Sequence, residues 1–344
     1  MKEYVKSIDS LRILAILAVV MVHTTTRTLE AAKFNLAGFP VSIFLNQIGR
    51  FAVPLFIMIS GFVLELNSGD KINYIYYFKR RFARIALPFI FWSLIYYLFI
   101  YTNNHDNFIR VLLTGNASYQ LYFIPTLCIF YLAFPLLHKI YKIISNKWVL
   151  ICLLVSETWF LYRDYFIKSY RFDDPIHIAI LAYFFFIAGI VAARHKDAIH
   201  LFVHKWKYIL TPAAGLSGIY VFWEGFSGYI KTGNYLTYYS TWRPSVLVYT
   251  FLIGLVLFHL FEKTKLQFSI VEKLSRLSFF VFLVHVIVLE AVWSLLGKSL
   301  FNLLSGNIFG KVIFDPIFFG VVASLSFLIA FIAHKIPKLY RVTG

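Results

Sequence analysis

The chain has 344 residues, of which 60% are hydrophobic, 20% aromatic and only 14% charged. This is more apolar surface than one soluble core hides, and its apolar runs match bilayer thickness, so the composition excludes a soluble enzyme and predicts an all-α, polytopic membrane protein. A net charge of +17 in such a chain points to basic loops that fix topology and meet anionic lipid, and away from nucleic acid.

Hydropathy predicts ten transmembrane helices, at approximately 9–28, 42–66, 82–101, 119–141, 147–163, 176–194, 206–224, 245–262, 276–297 and 312–334. Placing both termini in the cytoplasm puts most lysines and arginines on the cytoplasmic side, with the strongest cluster (Lys71, Lys79, Arg80, Arg81, Arg84) after the second span. The outer loops then carry Asn103-Asn104, Asp173-Asp174 and the Tyr-rich stretch GYIKTGNYLTYYSTWRP. Lys2 and Lys6 precede the first apolar run as in a signal peptide. Met21-Val22-His23-Thr24 lacks a small-x-small cleavage site, however, so the run reads as a retained helix. No linker, repeat or soluble domain interrupts residues 1–344, which read as one membrane domain. Cys128 and Cys152 show neither CxxC nor metal-ligand spacing, and no metal site is expected.

The first span holds the most informative pair. Arg12 and His23 lie eleven positions apart in SLRILAILAVVMVH, about three helical turns, so they share a face and are separated by roughly 16 Å along the axis. A cation and an imidazole in an apolar helix are costly unless used or paired. Near neutral pH a histidine can take a proton from a hydroxyl and return it to a leaving group. Each residue also has a structural reading: Asp9 can pair with Arg12 as a helix-start salt bridge, and His23 can be a hydrogen-bonded packing residue.

In the second span, Arg50 can bind an acidic acceptor, stabilise an oxyanion or snorkel to the interface. Arg80, Arg81 and Arg84 occupy about one turn entering the third span. They form either a positive-inside anchor or a bidentate polyphosphate site for a donor whose flexible arm reaches along the first helix toward His23. In the fourth span, Tyr119, Gln120 and Tyr122, with Trp242 farther on, could present a sugar-binding surface, although the interfacial aromatic belt is the preferred reading for most of them. Glu157, Glu224 and Arg243 either line the cavity or pair across helices. In the ninth span, His285 is a candidate acceptor-site or structural residue. Glu290, five positions on, lies off its helical face, which makes a direct pair doubtful.

SIDSLRILAILAVVMVH resembles the opening helix of the membrane acyltransferase-3 family, marked by an arginine and a histidine with ten residues between them. GRFAVPLFIMISGF (49–62), FKRRFARIALPF (78–89), YQLYFIPTLCIFYLAFP (119–135) and LSFFVFLVHVIVLE (277–290) are similar to further family segments in the same order. The resemblance implies transfer of an acyl group, usually acetyl from acetyl-CoA, to a hydroxyl of a cell-surface glycan or lipid-linked sugar at the bacterial plasma membrane. His23 then matches the catalytic general base, Arg12 the donor-side arginine, and Arg80, Arg81 and Arg84 the motif that holds the CoA phosphates. Arg50, Gln120, Tyr122, Arg243, His285 and Glu290 are candidate substrate-binding residues. Relatives often have His and Trp where this chain has Gln120 and Tyr122, which leaves acceptor identity open.

The chain reads as ending just after the tenth span, without the extracytoplasmic hydrolase-like domain of some relatives, and looks most like stand-alone proteins of exopolysaccharide loci. In those, succinyl-CoA is an alternative donor, with Arg50 or Arg243 supplying the extra cation. A role within a polysaccharide synthase complex also stays open. The rival class is a polysaccharide exporter or small-solute transporter. The inverted repeats and paired Gly/Pro breaks common in transporters are not evident here.

Overall fold

A computed structural model describes residues 5–33, 38–69, 72–100, 107–167, 175–233, 240–263 and 268–336. Lys71, Asn103-Asn104, Asp173-Asp174, residues 234–239 of the Tyr-rich outer stretch and the tail beyond Ile336 lie outside the described residues. The rest is mostly helical, with no strand among the described residues. The principal helices are α1 (Lys6–Ala31), α2 (Pro40–Leu66), α3 (Tyr74–Ile100), α4 (Phe123–Lys139) and α5 (Lys147–Tyr162). They continue with α6 (Tyr183–Arg194), α7 (Lys196–Thr232), α8 (Pro244–Lys263), α9 (Ile270–Leu304) and α10 (Ile308–Lys335). A helix underlies every apolar run of the sequence. Six of them, α1, α2, α3, α8, α9 and α10, are long and apolar enough to cross a membrane, while α4 and α6 are shorter apolar helices. The protein is thus an all-helical, multi-pass membrane protein.

Helix α1 is central, packed against α2, α8, α9 and α10. Its inner face is apolar from Leu11 to Val20 and becomes polar toward its C-terminal end, where Thr24, Thr25 and Thr28 are buried. Their hydroxyls donate to carbonyls of the preceding turn, Thr24 to Val20 at 3.0 Å and Thr25 to Met21 at 2.7 Å. Thr28 also donates to buried Asp315 of α10 at 2.6 Å, and Ser42 of α2 donates to the other oxygen of the same carboxylate. Satisfying polar groups internally is what allows such a face inside a membrane bundle.

Helices α2 and α6 approach most closely through two glycines. A Cβ at Gly61 would overlap the Phe186 carbonyl, and one at Gly189 the Met58 carbonyl. This is the small-residue contact that brings membrane helices together by van der Waals packing. At one end of the same pair, buried Glu65 accepts from His138 Nδ1 of α4 at 2.8 Å and Arg194 Nε of α6 at 2.5 Å. That carboxylate clamps three helices.

Two departures from the hydropathy reading shape the site. The predicted second span tightens into a 3-10 turn at Gly49–Phe51. There the missing side chain of Gly49 admits Val22 of α1, so a Cβ would come within 2.7 Å of Val22 Cγ2. The predicted fourth span begins its helix only at Phe123, after a turn entered through Gly115 at φ 77°. Any side chain at Gly115 would be strained and would overlap the backbone of Tyr122. This turn sets Tyr119, Gln120 and Tyr122 ahead of α4.

Candidate active site along the first helix

Two cavities follow one another along α1. The larger, about 1140 Å³, is lined by Arg12, Arg80, Arg81, Arg84 and Arg276, with His334 also on its wall. It slightly exceeds the usual range for small-molecule pockets, ~300–1,000 Å³. Arg12 Nη1 pairs with Asp9 Oδ1 at 2.9 Å, and Ser275 of α9 donates to the same oxygen at 2.6 Å. The helix-start salt bridge and the cavity position therefore coexist: Asp9 holds Arg12 while its guanidinium still faces the cavity. Arg81 lies over Tyr77 and Tyr131, at 5.7 and 5.4 Å from the ring centroids. Arg84 falls in a π-helical turn, Phe82–Ala86, and its side chain is exposed. Arg276, on α9 and paired with Glu272, is an addition to the arginines singled out in the sequence. Only its place in LSRLS next to an apolar run could have signalled it.

The smaller cavity, about 200 Å³, is lined by His23, Arg50, Gln120, Tyr122, Thr241 and Trp242 among others. The His23 ring stands 4.9 Å from Tyr119 and 5.2 Å from His285, centroid to centroid. His285 is fully buried, and its Nδ1 faces the carbonyls of Phe282 at 2.8 Å and Val281 at 3.1 Å. Carbonyls only accept, so Nδ1 carries a proton, and in the neutral ring Nε2 then keeps its lone pair. Nε2 is buried and has no protein partner. Gln120 accepts from Ser118 Oγ through Oε1, leaving its buried Nε2 donor without a protein partner on the cavity wall.

Arg50 is buried, and its Nη2 donates to Asn46 Oδ1, so it is not an arginine snorkelling to the interface. Asn46 Nδ2 in turn lies within hydrogen-bonding distance of the Val22 carbonyl at 3.0 Å and of Thr25 and Thr26 Oγ1 at 3.1 and 3.0 Å. Gln47 donates to Asn46 Oδ1 at 3.2 Å and accepts from Arg243 Nη2 at 2.6 Å. Sequence reasoning missed Asn46 and Gln47. Two amides in succession within an otherwise apolar SIFLNQIGR were the available signal, because lipid offers such groups no partner.

Several candidates fall elsewhere. Arg243 is fully buried behind the small cavity, tied to Gln47, to the Val221 carbonyl and to Glu224 at 3.4 Å. It braces the wall and does not line the cavity. Glu224 also accepts from Ser245, and Glu157 accepts from the Phe184 amide at 2.5 Å, so Arg243 and Glu224 pair across helices while Glu157 caps a helix start. Glu290 makes no pair with His285. Its partner is Arg27, at 3.4 Å, in a separate open pocket that also contains Glu30 and Trp293. Tyr122 and Trp242 line the His23 chamber, while Tyr119 is exposed with its ring beside that of His23. No cluster of metal-ligating side chains occurs among the described residues.

A family profile described as "Acyltransferase domain" matches residues 5–335. "Probable poly-beta-1,6-N-acetyl-D-glucosamine export protein" of Staphylococcus aureus (strain MRSA252) is 24% identical over 310 residues, covering 86% of this chain and 85% of that protein. A protein of the same name from Staphylococcus epidermidis is 24% identical over 309 residues, 86% of this chain and 84% of its own length. "Putative membrane-bound acyltransferase YfiQ" of Bacillus subtilis (strain 168) is 25% identical over 297 residues, 82% of this chain and 80% of that protein. No solved structure matches. With a profile that spans nearly all of it, the chain belongs to the membrane acyltransferase-3 family.

Proposed function

We propose that the protein transfers an acyl group, acetyl from acetyl-CoA, to a hydroxyl of a cell-surface glycan or lipid-linked sugar, with His23 as general base. The observation that carries this reading is the order of the two cavities along α1: an arginine-rich chamber at Arg12, then a small polar chamber at His23. Arg80, Arg81, Arg84 and Arg276 suit the phosphates of CoA, as planar guanidiniums bind phosphate bidentately. The pantetheine arm is comparable in length to the roughly 16 Å of helix between Arg12 and His23.

In the transfer, the acceptor hydroxyl oxygen attacks the thioester carbonyl while His23 takes its proton. The C–O bond forms, the C–S bond breaks, and the proton passes from His23 to the departing thiolate. Gln120 Nε2 and the Arg50 guanidinium are the donors available to the oxyanion in this chamber. His285, anchored to the backbone through Nδ1, packs its ring beside that of His23. Tyr119, Tyr122 and Trp242 offer aromatic faces to a sugar ring.

In this reading ten helices cross a bacterial plasma membrane with both termini in the cytoplasm. CoA enters beside the basic start of α3, and the acceptor reaches His23 from outside, alone or within a polysaccharide synthase complex. The alternative of export, the word in the staphylococcal relatives' printed name, calls for a passage wide enough for a sugar chain. A chamber of about 200 Å³ at His23 gives that alternative less support. The test is incorporation of radiolabelled acetyl from acetyl-CoA into surface polysaccharide by membrane vesicles. Label should appear with the wild type and vanish with His23→Ala at equal protein level. Equal incorporation by the variant would refute the catalytic role.

A further inference from the structure

The two cavities share two residues. Phe123, at the start of α4, and Phe282, on α9, line the arginine chamber and the His23 chamber alike. Both are nearly buried, and their rings pack against each other with centroids 5.4 Å apart at 60°. Phe56 of α2 backs Phe123 at 6.3 Å on the arginine side, and His285 flanks Phe282 at 6.0 Å. Along each neighbouring helix the lining passes from one chamber to the other at the same level. On α2 it changes from Val53 to Phe56, and at the start of α4 from Tyr122, just ahead of the helix, through Phe123 to Leu127.

We infer that Phe123 and Phe282 form an aromatic septum that selects a short, uncharged acyl group for delivery to His23. The inference rests on the acyl-CoA reading above and deepens it by naming what decides the acyl class. An acyl group carried from the arginines to His23 passes between these rings. A methyl-terminated acetyl gains apolar contact there. The carboxylate of a succinyl group would lose its hydration against two ring faces whose quadrupole is negative, with its attractive partners left behind among the arginines. Longer alkyl chains meet a chamber of only about 200 Å³, already edged by Gln120, Tyr122 and Trp242. A hydrophobic pocket rejects an added methylene by about 10- to 200-fold, which is the scale expected for this selection.

The test compares wild type with Phe282→Ala, Phe123→Ala and the milder Phe282→Leu, reconstituted in nanodiscs with membrane-derived acceptor. Acetyl-, butyryl- and succinyl-CoA are supplied in turn, and the transferred acyl groups are counted by mass spectrometry. Wild type should favour acetyl over each of the other two by about tenfold or more, and the alanine variants should narrow that ratio at least about fivefold. The leucine variant keeps the test open if alanine impairs folding.

A second arm needs no catalysis. A cysteine at Ala52, in the His23 chamber, is introduced into a Cys128→Ser, Cys152→Ser background and exposed to a charged thiol reagent from the vesicle face bearing Arg80. Labelling should be slow with both phenylalanines present and about tenfold faster without Phe282. Unchanged labelling overturns the septum. Faster labelling with unchanged acyl preference overturns its role in selection. Faster labelling with no transfer from any acyl-CoA sinks the acyltransferase reading, and the selective role with it, while leaving the barrier in place.

Discussion

Around the arginine chamber the cations are exposed or half-buried, whereas around His23 the polar groups are buried and bonded between helices. Arg84 is open to solvent and Arg81 rests on aromatic faces. Asn46, Gln47, Arg243 and His285, by contrast, are all fully buried, and three of them form one hydrogen-bonded chain that reaches Arg50 and α1. The contrast is what the proposed function asks of each chamber. Capturing a charged, flexible donor calls for mobile guanidiniums near water, whose attraction is screened by salt. Acting on a hydroxyl calls for groups already held in place, because reorganising them during the reaction adds to the barrier.

Substitutions should separate the chambers by kind and by size of effect. His23→Ala should lower acyl transfer by about 10²- to 10⁴-fold, the span of a lost general base, with the donor KM little changed. Asn46→Leu removes the hub that joins Arg50 and Gln47 to α1. It should destabilise the protein by about 2 kcal/mol, read as a lower melting temperature in detergent, and depress kcat in the same variant. Arg84→Ala should act on the donor alone, raising the acetyl-CoA KM roughly tenfold and flattening its dependence on ionic strength. A kcat effect with no KM effect at Arg84 would break the division of labour drawn here. The smallest change is expected at Glu290→Gln, less than about twofold in transfer, because Glu290 is bound to Arg27 outside the His23 chamber.

The all-helical membrane fold was legible because lipid imposes a single length scale and demands internal hydrogen bonding, so apolar runs map onto helices with little ambiguity. The Arg12–His23 axis was legible for a related reason: charged and titratable groups stand out in an apolar helix and share a face at their spacing. Arg50 was visible as a cost but not in its role, since its partner Asn46 lies one turn back and the purpose of that amide appears only when α1 is alongside. For Arg243 the sequence left two readings open, a cavity wall or a pair across helices, because a buried cation needs a counter-charge whose position the sequence does not fix; the structure pairs it with Glu224 on α7. For Tyr119, Tyr122 and Trp242 the sequence left a sugar-binding surface and an interfacial belt both open, because it carries no information on whether an aromatic at a helix end faces lipid or a cavity; Tyr122 and Trp242 face the His23 chamber. The Phe123–Phe282 septum had no signal at all among 38 phenylalanines, since an apolar wall between two chambers differs from any other packed pair only by what lies on either side.

The most direct measurement is the structure of the protein with a non-hydrolysable acetyl-CoA analogue in a lipid nanodisc. The account predicts the CoA phosphates among Arg80, Arg81, Arg84 and Arg276, the arm running along α1 past Phe123 and Phe282, and the acyl carbon within reach of the His23 ring. An analogue bound away from these arginines, or a sugar chain threaded through both chambers with no CoA bound, would contradict it.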